Sequence, residues 1–161
     1  IPAGAAWRTL PSGHPQGSAW TTAGFDASGW DEVRPPFGSG RGRFQSQQGA
    51  ITGGRPSIYA RREFTVPQAD KVTELGLQVD YADAMIVYVN GQEVARVNAG
   101  RSSGRNVQGL KVREDSGHVY LTLGSAHRYL VDGTNILAIE CHAHADGVID
   151  FGLDPRLWME D

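Results

Sequence analysis

The chain has one cysteine, Cys141, so an internal disulfide and a four-cysteine zinc site are both excluded. Lysine is nearly missing: Lys71 and Lys111 stand against thirteen arginines. Methionine occurs only twice, while glycine fills 21 of 161 positions, about twice the usual ~7 %. A helical bundle is not expected from such a composition. No apolar run approaches the ~18 residues that cross a bilayer as a helix, so no membrane span is expected. No tract repeats. The chain opens on Ile1, and the expectation is a single module, residues 1–161, excised from a larger protein, with no signal peptide to read.

Charge is unevenly spread. From Val33 to Arg62 there are six arginines and no acid. From Val94 to Arg113 stand Arg96, Arg101, Arg105, Lys111 and Arg113, again without an acid. From Glu114 onward nine acids face two arginines. Basic segments of this kind attract anions; the plainer reading is a solvated surface whose arginines pair with the later acids. The acidic half argues against nucleic acid as a partner.

Periodicity predicts strands at Ser57–Val66, Thr73–Tyr81, Ala84–Val89, Gln92–Asn98, Gly117–Leu123, Asn135–Ala145 and Val148–Leu153. Asn90-Gly91 between two of them is a hairpin signal, because both central residues of a type I′ turn need positive φ. Ser125–Val131 is the one helical candidate, capped by Ser125 and stopped by Gly133. Short strands with frequent turn signals predict an all-β antiparallel sandwich. The first fifty-odd residues, with Trp7, Trp20, Trp30, Phe25, Phe37 and Phe44 among Gly, Ser and Pro, are too apolar for a disordered tail. They are expected to be long irregular loops pinned by their aromatics.

Antiparallel strands alternate in direction, so loops fall at alternate ends. Counting from the strand near Ile58, the 38–56 loop, the Tyr81–Asp83 turn and the 99–106 loop should share one rim. The turn after Ala145 joins them if the 125–133 segment carries the chain back across.

Four pieces then stand in a familiar order: Trp20 with Phe25-Asp26-Ala27-Ser28-Gly29-Trp30, Pro36-Phe37-Gly38-Ser39-Gly40, Tyr59-Ala60-Arg61-Arg62-Glu63-Phe64-Thr65-Val66, and Asp83 through Asn90-Gly91 to Val94. Leu130 through Gly133-Thr134-Asn135 to Ile139 follows them. Over about residues 18–154 this resembles the galactose-binding-domain-like jelly roll. It is similar in particular to the non-catalytic sugar-binding-type module of family 2 glycoside hydrolases and to modules beside secreted bacterial metallophosphatases and other hydrolases. The resemblance implies a jelly roll in an extracellular, periplasmic or cell-surface protein. It implies a glycan at the loop end or on the concave face, or a neighbouring domain of the parent chain as partner. Fold does not fix function, and where many relatives carry Asp-Asp-Gly this chain has Tyr81-Ala82-Asp83-Ala84.

The ligand candidates are Tyr59, Arg61, Tyr81, Asp83, Arg101, Arg105, His142 and His144. Arginine would fork to carboxylate, sulfate or hydroxyls, and tyrosine would stack on a sugar ring. An anionic polysaccharide suits the basic loops. No cofactor is expected, save a structural calcium ion of the kind some members hold. Its oxygen ligands would come from Asp26 or Asp31 with a late acid such as Asp146 or Asp150. A structural interaction domain without a small ligand is the second reading. A metal-dependent hydrolase is the third, resting on His142-Ala143-His144-Ala145-Asp146, where Glu140, His142 and His144 would share one strand face. Gly147 stands where a further histidine would complete that pattern. Gly38–Gly42 lacks the Lys-Ser/Thr of a phosphate loop, and no Gly-x-Ser-x-Gly elbow occurs. Cys141 is expected on the inward face as an inert thiol.

Overall fold

A computed structural model describes residues 1–11, 17–40, 44, 57–101, 109–113, 115, 117–144 and 150–161. Among the described residues ten strands follow in chain order: β1 (Trp7–Pro11), β2 (Asp31–Val33), β3 (Phe37–Gly40), β4 (Ser57–Val66), β5 (Glu74–Ala82), β6 (Ala84–Val89), β7 (Gln92–Val97), β8 (Val119–Ser125), β9 (Gly133–His142) and β10 (Asp150–Glu160). They form two sheets, six-stranded β2-β1-β4-β9-β6-β7 and four-stranded β3-β10-β5-β8, with every pairing antiparallel. The chain is an all-β sandwich, and no described helix is long and apolar enough to cross a membrane.

Alternation builds the core. Leu75, Leu77, Val79 and Tyr81 of β5 face Leu137, Ile139 and Cys141 of β9 across the sandwich, with Met85, Val87, Phe151 and Leu153 beside them. The Cys141 thiol is fully buried and lies 3.4 Å from the Ala82 carbonyl and 3.5 Å from that of Gly152. The hairpin at Asn90-Gly91 has φ of 49° and 85°, as a type I′ turn requires.

Several expectations are corrected. The first fifty residues are not only loops. They supply β1, β2 and β3, because Trp7 and Phe37 alternate into the core and gain strand partners distant in sequence. The helical candidate is a three-residue 3-10 turn, Ala126–Arg128: the Tyr129 and Leu130 amides both return to the Ala126 carbonyl, and those two side chains then enter the core. The last strand also runs further than expected, to Glu160, and β9 stops at His142.

The aromatic segment following β1 forms a second cluster. Trp20, Ala27 and Trp30 pack on the outer face of the six-stranded sheet, over Tyr59, Ile136 and Ala138. Trp20 meets Trp30 at 6.0 Å and the Tyr59 ring edge-on at 5.3 Å. Each buried ring of this size contributes on the order of 4 kcal/mol before entropy is charged.

Candidate functional site

The strand register collects strand ends at one rim; most of the 38–56 and 99–106 loops and the turn after Ala145 lie outside the described residues. Ser57 opens β4 opposite His142, which closes β9. His142 also faces Ala84 at the start of β6, and Met85 faces Val97 at the end of β7. In the other sheet Ala82 closes β5 opposite Gly152, near the start of β10.

Asp83 ties this rim together. Its Oδ1 accepts the Arg113 amide at 3.0 Å and its Oδ2 accepts the His144 amide at 2.9 Å. Its own amide donates to the His142 carbonyl at 3.2 Å. Asn98 Nδ2 donates to the Asp83 carbonyl at 2.9 Å and to the Lys111 carbonyl at 2.7 Å. His144 lies beyond β9, half-buried, with Nδ1 donating to the Gly109 carbonyl at 2.7 Å. Asp83 therefore holds three stretches of chain and is itself buried.

Arg113 was not singled out by sequence. Its Nη1 donates to Asp80 Oδ1 at 2.7 Å and to the Tyr81 carbonyl at 2.8 Å, and its Nη2 to the Gly117 carbonyl at 2.8 Å. The guanidinium sits 4.4 Å from the Tyr81 ring centroid. Around it lies a cleft of about 370 Å³, lined by Tyr81, Asn98, Lys111, Arg113, Asp115 and His118. Lys111 is exposed. The acid-free stretch that ends at Arg113 was the signal in the sequence; that its last arginine would stack on Tyr81 was not legible.

The other ligand candidates separate. Tyr59 is 2 % exposed, beneath Trp20 and edge-on to His142, so it presents no open ring face. Burial, with Glu140 nearby, pushes its hydroxyl above the ordinary tyrosine range. Tyr81 is likewise buried, its ring covered by Arg113. Arg61 stands in mid-strand, away from the rim, and donates to the Phe25 carbonyl at 2.8 Å and the Thr22 carbonyl at 2.9 Å. It pins the aromatic segment to β4. Arg101 is exposed at the rim after β7. Arg105 and Asp146 lie outside the described residues.

Glu140 and His142 do share a strand face, but that face is covered. His142 Nε2 stands 3.0 Å from Glu140 Oε2, and Nδ1 stands 3.1 Å from Ser57 Oγ. Glu140 Oε1 accepts the Tyr88 hydroxyl. Ser57, Glu140 and His142 are exposed by only 7 %, 3 % and 2 %. Serine, histidine and carboxylate are the residue types of a nucleophilic triad. Here both imidazole nitrogens are engaged inside the fold, and the arrangement acts as a buried tie between β4, β9 and β6. His144 does not join it.

Among the described residues no three His, Cys, Asp or Glu side chains gather as metal ligands. Asp26 is exposed on the segment over the six-stranded sheet, its Oδ1 accepting the Ser28 amide at 2.8 Å. That backbone hydrogen bond lowers its pKa. Asp150 begins β10 in the opposite sheet, its backbone facing Gly40. A further groove of about 520 Å³ lies beside Asp26, where Arg8, Arg61 and Arg62 alternate with Glu32 and Glu63.

No protein-family model matches the chain, and no curated protein matches it. Solved structures do. The chain is similar to Bacteroides uniformis beta-glucuronidase 2 bound covalently to cyclophellitol-6-carboxylate aziridine, at 17 % identity and TM-score 0.60, covering 96 % of this chain and 17 % of that one. It is similar to a glycosyl hydrolase family 2 member from Bacteroides cellulosilyticus at 15 % identity and TM-score 0.59, covering 97 % and 20 %. A beta-glycosidase from Bacteroides vulgatus matches at 14 % identity and TM-score 0.55, covering 98 % and 20 %. The chain thus spans a fifth or less of those proteins, and it shares the fold of one β-sandwich within them.

Proposed function

We propose that this chain is a non-catalytic, carbohydrate-binding-type β-sandwich of a larger carbohydrate-active protein that works outside the cytoplasm, and that it meets an acidic glycan at the loop rim. One observation carries the reading: the likeness covers nearly all of this chain but 17–20 % of glycoside hydrolase chains, as expected of an accessory module. Among the described residues the exposed cations at the rim are Arg101 and Lys111. Lys111 lines the cleft beside Arg113, and such groups suit the carboxylates of a uronate polymer. A glucuronide-cleaving relative of the fold is compatible with that choice.

Affinity electrophoresis in gels cast with polygalacturonate tests it. Retardation is expected, weakening as salt rises, and reduced several-fold when Arg101→Ala and Lys111→Ala are combined. A second reading, a docking domain without a small ligand, draws support from the burial of Tyr59, Arg61, Tyr81, Asp83 and His142. Unretarded migration in polygalacturonate would favour it over the first.

A further inference from the structure

The two broad sides of the sandwich differ. The aromatic segment covers the outer face of the six-stranded sheet. Among the described residues nothing comparable lies on the outer face of the four-stranded one. Its register lays the outward side chains in rows across β10, β5 and β8. Arg156 pairs with Gln78, which pairs with Tyr120; Trp158 pairs with Gly76, which pairs with Thr122. The alternate residues Leu75, Leu77, Leu153 and Leu157 point into the core.

Two aromatic rings stand on this face. Tyr120 is 70 % exposed, and its hydroxyl accepts Gln78 Nε2 at 2.8 Å. Trp158 is half-buried. Its indole lies across Gly76: a Cβ there would fall 2.1 Å from both Cε2 and Cζ2. Only glycine lets the ring settle onto the sheet at this point. Two strand spacings and one two-residue step separate Trp158 from Tyr120, roughly 12 Å between Cα atoms. That is the span of a short run of pyranose units.

We propose that this face is a second glycan site, a stacking platform for a neutral polysaccharide with Trp158 and Tyr120 as its ring contacts. The apolar groups are separated by Gln78, Thr122 and Arg156 rather than merged into one patch, which suits a sugar, with its C–H faces and hydroxyl edges, better than a protein core. Glu74, Asp154 and Glu160 occupy outward positions on the same two strands, while Asp80 between them is buried against Arg113. Acids therefore outnumber cations here, and an anionic polymer is disfavoured. The site differs in place and in ligand charge from the rim described above.

Hydroxyethylcellulose is the probe, in affinity gels and in solution. Trp7, Trp20 and Trp30 are buried, so quenching of tryptophan emission by acrylamide reports Trp158. The polymer should retard the protein and shield that emission. Trp158→Ala and Tyr120→Ala should each weaken binding about ten-fold, Trp158→Phe less so, and the Arg101→Ala/Lys111→Ala pair not at all. Far-ultraviolet circular dichroism checks that each variant is folded; Tyr120, at the surface, gives the decisive variant if Trp158→Ala does not fold. The proposal is overturned by unretarded migration in hydroxyethylcellulose, or by wild-type binding in folded Tyr120→Ala and Trp158→Phe. It is also overturned by a dimer in sedimentation that Tyr120→Ala dissolves, because the face would then be a protein contact. Loss of polygalacturonate binding bears only on the rim.

Discussion

At the scale of single residues, the most consequential group is the buried tie of Ser57, His142, Glu140 and Tyr88. A carboxylate that is 3 % exposed is tolerable only while hydrogen bonds replace its water. His142→Ala removes one of them and leaves Glu140 facing a void. It is expected to cost about 3 kcal/mol in urea unfolding, and His142→Gln, which keeps a donor, roughly half as much. Equal stability of His142→Ala and wild type would show that Glu140 is solvated another way. The sequence made the strand parity legible: Glu140 and His142 share a face, and Cys141 points inward. It did not reveal that the face is covered. Trp20 and Trp30, more than a hundred positions earlier, cover the Ile136 and Ala138 stretch of that face, and Tyr59 stands edge-on to His142 beneath Trp20; no local pattern encodes those contacts. The same reason removed Tyr59 from solvent.

At the scale of elements, asparagines join the hairpin to β9 at the end opposite the rim. Asn90 Nδ2 donates to Asn135 Oδ1 at 2.7 Å, and Asn90 Oδ1 accepts the Ile136 amide at 2.8 Å. Asn135 reaches back to bond the Val131 amide at 2.9 Å and its carbonyl at 2.7 Å. Asn135 is fully buried, so Asn135→Ala strands several backbone groups at once. A loss of about 3 kcal/mol is expected, read as a Tm lowered by roughly 6–12 °C. These elements were the readable ones: Asn90-Gly91 and Gly133-Thr134-Asn135 are local signals with local causes. Strands β1 to β3 were not, because they are short, rich in Gly and Pro, and defined by partners far along the chain. The second half of β10 alternates Arg156 and Trp158 outward with Leu157 inward, a pattern present in the sequence that ends the chain. Trp158 and Tyr120 could have been found from it.

At the scale of the whole molecule, both clusters bury weak acids. Desolvation pushes Tyr59, Tyr81, Tyr88 and Tyr129 above the ordinary tyrosine value of 10.0, and Cys141 above the thiol value of 9.0. Above those values the unfolded chain releases protons that the folded chain retains. Fewer protons on the unfolded side means that stability falls as pH rises. The urea midpoint is therefore expected to decline from about pH 9 upward, with a limiting slope near 1.4 kcal/mol per pH unit for each such group. Phenolate absorbance of these tyrosines should rise together with the loss of near-ultraviolet dichroism. Ionisation of four tyrosines in a protein still folded would refute the placement of the rings.

The segment from Gly17 to Trp30 has one further consequence. One side of the particle is lined by the protein's own chain, and among the described residues nothing lines the other. A tether fixed through the lined side, near Arg8 or Glu32, would hold that other side outward; one fixed near Tyr120 would hide it. How the particle is oriented on a support, and not its composition alone, decides what it can grip.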